Sequence, residues 1–180
     1  PCLLISDLHI KGDQSDQPLL DFLASDIIQE KQIRHILFVG DIFDFNLGYQ
    51  TTLYRRHLPF YLVIHQLKLQ GIHMYYFTGN HDPDPCPILC KDFDIQYIEA
   101  PAKVSIFGYT VLVQHGDLLD PNHIKKWVCI FARFRWLHRC IKILPPALLL
   151  TFSKCLTHSN NKPFNYAPLT EKLYQKVRSV

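Results

Sequence analysis

The stretch Ile36-Leu37-Phe38-Val39-Gly40-Asp41-Ile42-Phe43-Asp44 decides how the rest of this chain is interpreted. Its first four residues are apolar, with β-branched and aromatic members, which is typical of a short buried strand. A glycine ends that strand, and two carboxylates follow. In α/β proteins, ligands and chemistry are found beyond the carboxyl ends of the strands. We therefore expect Asp41 to be a metal-binding carboxylate, provided that other segments bring compatible side chains to the same edge.

Three further apolar segments end in polar clusters of the same kind. The residues that follow them are, in chain order, Asp7 and His9, then Asn80, His81 and Asp82, then His115 and Asp117. Carboxylate, imidazole and amide oxygen are ligands for borderline to hard divalent ions. If the first of these segments is extended, Asp7 and His9 lie on one side of the chain. Two neighbouring metal ions need a shared anionic ligand, and Asp41 suits that role; the alternative is that each residue only caps a strand or forms a turn.

The hydrophobic pattern alternates strands and helices before residue 120. The predicted strands cover residues 3–6, 35–39, 73–78, 95–98, 104–107 and 110–114, and the predicted helices cover 16–32, 51–70, 121–143, 147–156 and 169–177. Pro59 is expected to begin a new segment or to kink the second helix. Residues 82–87 are expected to form a proline-rich loop, and the last two strands a hairpin around Gly108. The order β-α-β-α-β predicts an α/β fold with a largely parallel sheet and right-handed crossovers.

The charge is divided unevenly along a chain of globular composition. Of the 180 residues, 48% are hydrophobic and 19% charged, which excludes a disordered chain. Residues 1–120 hold 8 Lys+Arg and 15 Asp+Glu, whereas residues 121–180 hold 11 Lys+Arg and one acid. An acidic part that can hold cations is thus joined to a basic part that can meet phosphates or an anionic membrane. The alternative is that the acidic and basic parts are only two solvated faces of one domain.

The six cysteines are expected to be reduced thiols. Cys86 and Cys90 have no second pair at the spacing of a zinc site, so a structural zinc ion is the lesser alternative.

The blocks Asp7-x-His9, Gly40-Asp41-x-x-Asp44, Gly79-Asn80-His81-Asp82 and His115, in this order, resemble four of the five blocks of the calcineurin-like metallophosphoesterases. The resemblance implies a four-layer α+β version of the α/β class, a β-sandwich flanked by helices, with the site at the strand ends. It also implies two divalent ions, Mn²⁺ first, with Mg²⁺, Fe²⁺ or Zn²⁺ as alternatives. The implied ligands are Asp7 and His9 for one ion, Asn80 and His115 for the other, and Asp41 for both. Catalysis would fall to Asn80 and to His81, which would stabilise or protonate the leaving oxygen.

The basic, aromatic segment after His115 is similar to the helical lid of UDP-2,3-diacylglucosamine hydrolases of lipid A biosynthesis. Those enzymes cleave a pyrophosphate at the membrane surface and release lipid X and UMP. The similarity implies that residues 1–120 are the N-terminal part of the core, and that residues 121–180 are an inserted lid. It implies a nucleotide-linked lipid substrate and a peripheral place on the cytoplasmic face of the inner membrane. No nucleic acid is expected, because the basic charges of this segment are interleaved with long aliphatic residues, which suit lipid better.

The same similarity names the residues of the lid. Its apolar lining would be Trp127, Ile130, Phe131, Phe134, Leu137, Ile141, Leu144 and Leu148, and its cations Arg133, Arg135, Arg139 and Lys142. Candidate substrate contacts are Asp120, His123, Arg133, Ser159, Asn160 and Lys162. The alternative is that residues 127–148 form an internal helical hairpin packed on the core.

Two features depart from those hydrolases. His81 stands where they usually carry Arg, as in general metallophosphoesterases. The fifth block, Gly-His-x-His, which would add one histidine to each metal, does not occur in the 180 residues. Two expectations therefore stay open: the chain is a fragment of a longer enzyme, or it lacks full metal binding. The alternative functions are a general phosphodiesterase or nuclease, and a non-catalytic scaffold like the retromer subunit that has this fold.

Overall fold

The computed structural model describes residues 1–44, 46, 48–49, 52–82, 87–106, 108–116, 140 and 142–145. The chain forms two compact units, Pro1–Leu144 and Pro145–Val180. Every element named below belongs to the first unit, and of the second only Pro145 is described. The predicted lid and its boundary at residue 120 lie almost wholly outside these ranges and stay predictions.

A four-stranded parallel sheet forms the centre of the first unit. Its strands follow chain order: β1 (Cys2–Ile5), β2 (His35–Val39), β3 (His73–Phe77) and β4 (Ile95–Ile98). The middle of β2 is fully buried, as expected for a parallel strand that is covered on both faces. The prediction of a mainly parallel sheet is confirmed.

Helices make the crossovers that parallel strands require. They are α1 (Gln17–Ala24), α2 (Ile27–Glu30), α3 (Leu58–Leu69) and α4 (Pro87–Asp92). The continuous helix predicted over 16–32 is wrong, because the backbone of Ser25 is extended and its hydroxyl donates to the carbonyl of Phe22. Pro59 lies in the first turn of α3, where its missing N–H costs nothing. The hydrophobic pattern did not predict α4.

A hairpin of β5 (Ala102–Ile106) and β6 (Tyr109–Val113) forms a second, antiparallel sheet, as predicted. One apolar cluster joins the parallel sheet to the helices, and a second joins Leu37 and Phe77 to Val113. The fold is therefore mixed α/β, with a parallel sheet, a second sheet and few helices, consistent with the architecture that the resemblance implied. It leaves the carboxyl ends of β1, β2 and β3 together at one edge.

His57 lies fully buried in the helical cluster, in the turn before α3. Its ring stacks on that of Phe43, with centroids 4.7 Å apart, and neither ring nitrogen has a hydrogen-bond partner. Burial disfavours the imidazolium form, and the charge of Arg56 adds to this, so the pKa of His57 falls from 6.5 to about 3.

This histidine should make the fold sensitive to acid. The unfolded chain takes up the proton near pH 6.5 but the folded chain only near pH 3. As the pH is lowered from 6.5 to 3, the free energy of unfolding should therefore fall, and this group alone should contribute about 1.4 kcal/mol per pH unit to the fall. His57→Phe should keep the ring stack and remove this contribution, as measured by urea unfolding at pH 7 and pH 5. His65→Phe, at an exposed position of α3, is the matched control, and an unaltered pH slope in His57→Phe would contradict the expectation.

Candidate metal centre

The loops that follow β1 and β2 are joined by backbone hydrogen bonds. The N–H of His9 donates to the carbonyl of Asp41 at 2.9 Å, and the N–H of Ile10 donates to that of Ile42 at 2.9 Å. Asp7, His9 and Asp41 have φ values of 55°, 47° and 52°. The expectation of an extended Asp7-x-His9 segment is therefore wrong. Left-handed backbone at non-glycine residues is uncommon and concentrates at functional sites.

Asp41 is the buried centre of this edge, with 3% of its surface exposed. Three histidine Nε2 atoms face its Oδ2 atom, those of His115 at 3.2 Å, His9 at 3.8 Å and His81 at 4.0 Å. The backbone N–H of His81 donates to Oδ1 at 2.9 Å. Asp7 extends the group, because its Oδ1 atom is 3.9 Å from Nε2 of His115. The fold thus brings together five of the residues that the sequence singled out.

Two of these histidines are anchored through their other nitrogen. The Nδ1–H of His115 donates to the carbonyl of Val39 at 3.0 Å, and that of His81 to the carbonyl of Asp44 at 2.6 Å. A carbonyl oxygen can only accept, so Nδ1 carries the hydrogen in both rings. In the neutral ring, Nε2 then presents a lone pair towards Asp41, which is favourable only if a cation or proton lies between them. Metal-binding histidines are usually oriented in this way.

The ionisation of the pair Asp41–His115 agrees with a cation site. Burial by itself would raise the pKa of Asp41, but the hydrogen bond and charge of His115 and the N–H of His81 lower it. Burial opposes the charged form of His115, yet Asp41 raises the pKa of His115 to about 9. Without metal, a proton is therefore held between them, and a metal ion bound by His115 would displace it.

Two groups of potential ligands share Asp41. In the part of the chain that the structure describes, His9, Asp41 and His81 form one group, and Asp7, Asp41 and His115 form the other, with ligand atoms within 4.8 Å in each. The resemblance instead placed Asp7 and His9 on one ion. Imidazole and carboxylate donors that share one carboxylate fit a pair of borderline divalent ions. The ligand assignments stay predictions.

Asn80 lies in the turn between Gly79 and His81 and is half-buried. Asn80 thus directly precedes His81, which belongs to one of the two ligand groups. Its roles as a metal ligand and as a catalytic residue stay predictions.

A second carboxylate, Asp82, lies behind Asp41 and is fully buried. It accepts hydrogen bonds from the hydroxyl of Tyr76 and from four backbone N–H groups, those of Asp41 at 3.0 Å, Ile42 at 2.6 Å, Phe43 at 3.3 Å and Gly79 at 3.0 Å. Burial and the neighbouring charge of Asp41 raise the pKa of Asp82, and these hydrogen bonds oppose the rise. The sequence did not predict this role for Asp82, because most of its donors belong to another loop, the one after β2.

Two glycines permit the close packing of the site. A Cβ atom at Gly79 would lie 2.1 Å from Oδ1 of Asp41, and one at Gly40 would lie 2.6 Å from Cγ and Nδ1 of His115. Both distances are far below van der Waals contact. The glycines of the blocks are therefore required by the side chains that pack against them.

The remaining candidates lie outside the described residues. These are Asp120, His123, Arg133, Ser159, Asn160 and Lys162, together with Asp117, Cys86 and most of the named lid residues. Of that lid, Lys142 is half-buried, and the carbonyl of Leu144 accepts a hydrogen bond from the hydroxyl of Tyr49 at 2.8 Å. Within the described ranges, no helix has the length and apolar character needed to cross a membrane.

Comparison with known proteins agrees with this geometry. The model of the family described as calcineurin-like phosphoesterase matches residues 1–170. A protein named UDP-2,3-diacylglucosamine hydrolase from Stutzerimonas stutzeri (strain A1501) is 29% identical over 125 residues, which are 65% of this chain and 48% of that protein. One of the same name from Neisseria gonorrhoeae (strain ATCC 700825 / FA 1090) is 26% identical over 152 residues, covering 83% of this chain and 60% of the relative. The chain thus spans about half the length of the curated relatives it matches.

Proposed function

Because this chain belongs to the calcineurin-like phosphoesterase family, we propose that it carries the metal centre of a metal-dependent phosphoester hydrolase. The observation that supports this is the convergence of three Nε2 atoms on the buried Oδ2 of Asp41. Of the proposed ligands, His115 is held by the backbone carbonyl of Val39 in the tautomer that a metal ion requires.

The proposed cofactors are two divalent ions, Mn²⁺ first, with Mg²⁺, Fe²⁺ or Zn²⁺ as alternatives. The residues that would hold them are Asp7, His9, Asp41, Asn80 and His115. Bound there, such ions would supply Lewis acidity towards a phosphoryl group and lower the pKa of water.

The protein's own groups supply orientation and a proton. Asp41 would be the shared anion, since both ligand groups contain it. His81 would act on the substrate: its Nδ1–H is tied to the carbonyl of Asp44, so in the imidazolium form its Nε2–H would donate to the leaving oxygen.

The proposed substrate is UDP-2,3-diacylglucosamine, cleaved at its pyrophosphate to lipid X and UMP. The names of the relatives support this choice. So does the excess of 11 Lys+Arg over one acid in residues 121–180, which suits an anionic lipid surface. That segment would form the lid at the cytoplasmic face of the inner membrane. The residues that would contact substrate are Asp120, directly before the segment, and His123, Arg133, Ser159, Asn160 and Lys162 within it.

The decisive experiment compares two substrates. Full-length protein loaded with Mn²⁺ should release UMP from UDP-2,3-diacylglucosamine with a higher kcat/KM than it shows for bis(p-nitrophenyl) phosphate. EDTA should remove both activities, and added Mn²⁺ should restore them. Preference for the soluble diester would favour a general phosphodiesterase. Absence of both activity and bound metal would favour the non-catalytic scaffold.

A further inference from the structure

A buried pair, the Tyr76 hydroxyl and the Asp82 carboxylate, lies behind the Asp41 loop. Tyr76 belongs to β3, and Asp82 follows the end of that strand, so the hydrogen bond between them folds the loop back onto its own strand. Burial, followed by the charge of Asp82, raises the pKa of Tyr76 well above its ordinary value. Tyr76 therefore keeps its proton and acts as a donor.

The carboxylate connects two loops that are far apart in sequence. Its Oδ1 atom accepts from the N–H groups of Asp41 and Gly79, and its Oδ2 atom from those of Ile42 and Phe43. The loop after β2 is thus attached to the loop after β3 by one buried anion. The N–H of His81 completes the connection from the other side, because it donates to the Asp41 side chain.

This connection holds Asp41 in a conformation that it would otherwise avoid. Its φ of 52° is left-handed, which costs a non-glycine residue about 1–2 kcal/mol. The direction of the Asp41 side chain follows from that backbone, and the three histidine Nε2 atoms are arranged around the resulting position of its Oδ2. If the loop relaxed, the shared carboxylate would move away from them.

We propose that Asp82 and Tyr76 are positioning residues for Asp41, and that this pair sets the affinity of the centre for divalent ions. The inference rests on the proposed function, because it presumes that Asp41 binds metal. Tyr76 orients Asp82 through a hydrogen bond to a charged acceptor, which is stronger than a neutral one. Asp82 in turn orients Asp41.

The test measures Mn²⁺ binding directly, without substrate, by calorimetric titration of the full chain. Tyr76→Phe removes only the hydroxyl and should raise the Kd for Mn²⁺ about 10- to 100-fold, the usual effect of losing a group that orients a ligand. Tyr75→Phe is the matched control, because successive side chains of a strand point to opposite faces, and it should keep the wild-type Kd. For Asp82→Asn the rise in the Kd for Mn²⁺ should reach the upper end of that range, because the amide NH₂ of the new asparagine would face backbone N–H donors.

Two readouts separate positioning from general stability. At saturating Mn²⁺ the kcat of Tyr76→Phe should return to near the wild-type value, because the hydroxyl does not contact the reacting atoms. A lowered Tm with an unchanged Kd would overturn the inference, since the pair would then serve only the fold. If Asp82→Asn fails to fold, Tyr76→Phe decides alone. Wild-type protein that binds no Mn²⁺ would overturn the proposed function together with this inference, whereas equal Kd values in wild type and Tyr76→Phe would overturn this inference alone.

Discussion

Asp41→Asn should remove divalent-ion binding at this centre and lower kcat/KM by about a thousandfold, which corresponds to about 4 kcal/mol of transition-state stabilisation. The substitution preserves size, and the remaining oxygen can still accept from the N–H of His81. It removes the negative charge that both ligand groups share. The loss should therefore fall on both ions at once, whereas substitution of His9 or Asp7 removes a member of one group only.

The measurement combines metal content by elemental analysis with steady-state kinetics of the full-length protein. Asp26→Asn is the matched control: Asp26 is exposed, and its side chain makes no capping hydrogen bond at α2. It should keep wild-type metal content and turnover. If Asp41→Asn retained its metal and near-normal turnover, the central role of Asp41 would be disproved.

Gly40→Ala should be far more damaging than Gly71→Ala, although both glycines have φ of +75°. Each alanine pays about 1–2 kcal/mol for the left-handed backbone. At Gly71 nothing lies within 4 Å of the new Cβ atom. At Gly40 that atom would lie 2.6 Å from two ring atoms of His115 and 2.9 Å from its Cβ, so the histidine must move.

That movement affects the site as well as the fold, because the same ring bonds to the carbonyl of Val39 and faces Asp41. Overpacking of this kind costs about 1–3 kcal/mol. We expect Gly40→Ala to lose about 2–5 kcal/mol of unfolding free energy in total and to bind Mn²⁺ weakly. Gly71→Ala should lose only the backbone cost and bind Mn²⁺ normally. Urea unfolding and Mn²⁺ titration of both variants measure this, and equal results for the two would refute the steric argument.

Much of the fold was predictable because local patterns decide it. The apolar runs at 36–39 and 73–77 are too short and too rich in β-branched and aromatic residues for helices, and helical segments separate them. That order dictates a parallel sheet, whose strand ends share an edge. Two predictions about helices were wrong for local reasons. The helix over 16–32 is interrupted because the Ser25 hydroxyl bonds to a backbone carbonyl. Helix α4 was not predicted because the prolines before it suggested a loop.

The sequence by itself determined which polar side chains follow the strand ends, because each of those strands is visible in the hydrophobic pattern. Only the tertiary structure decided which of them lie together, placing Asp7 beside His115 and His9 beside His81. It also decided that Asp82 supports the Asp41 loop, and that two glycines make room for side chains from distant segments. The physical reason is that these relations depend on left-handed backbone and on distances between loops that are separated by tens of residues, which no local pattern encodes.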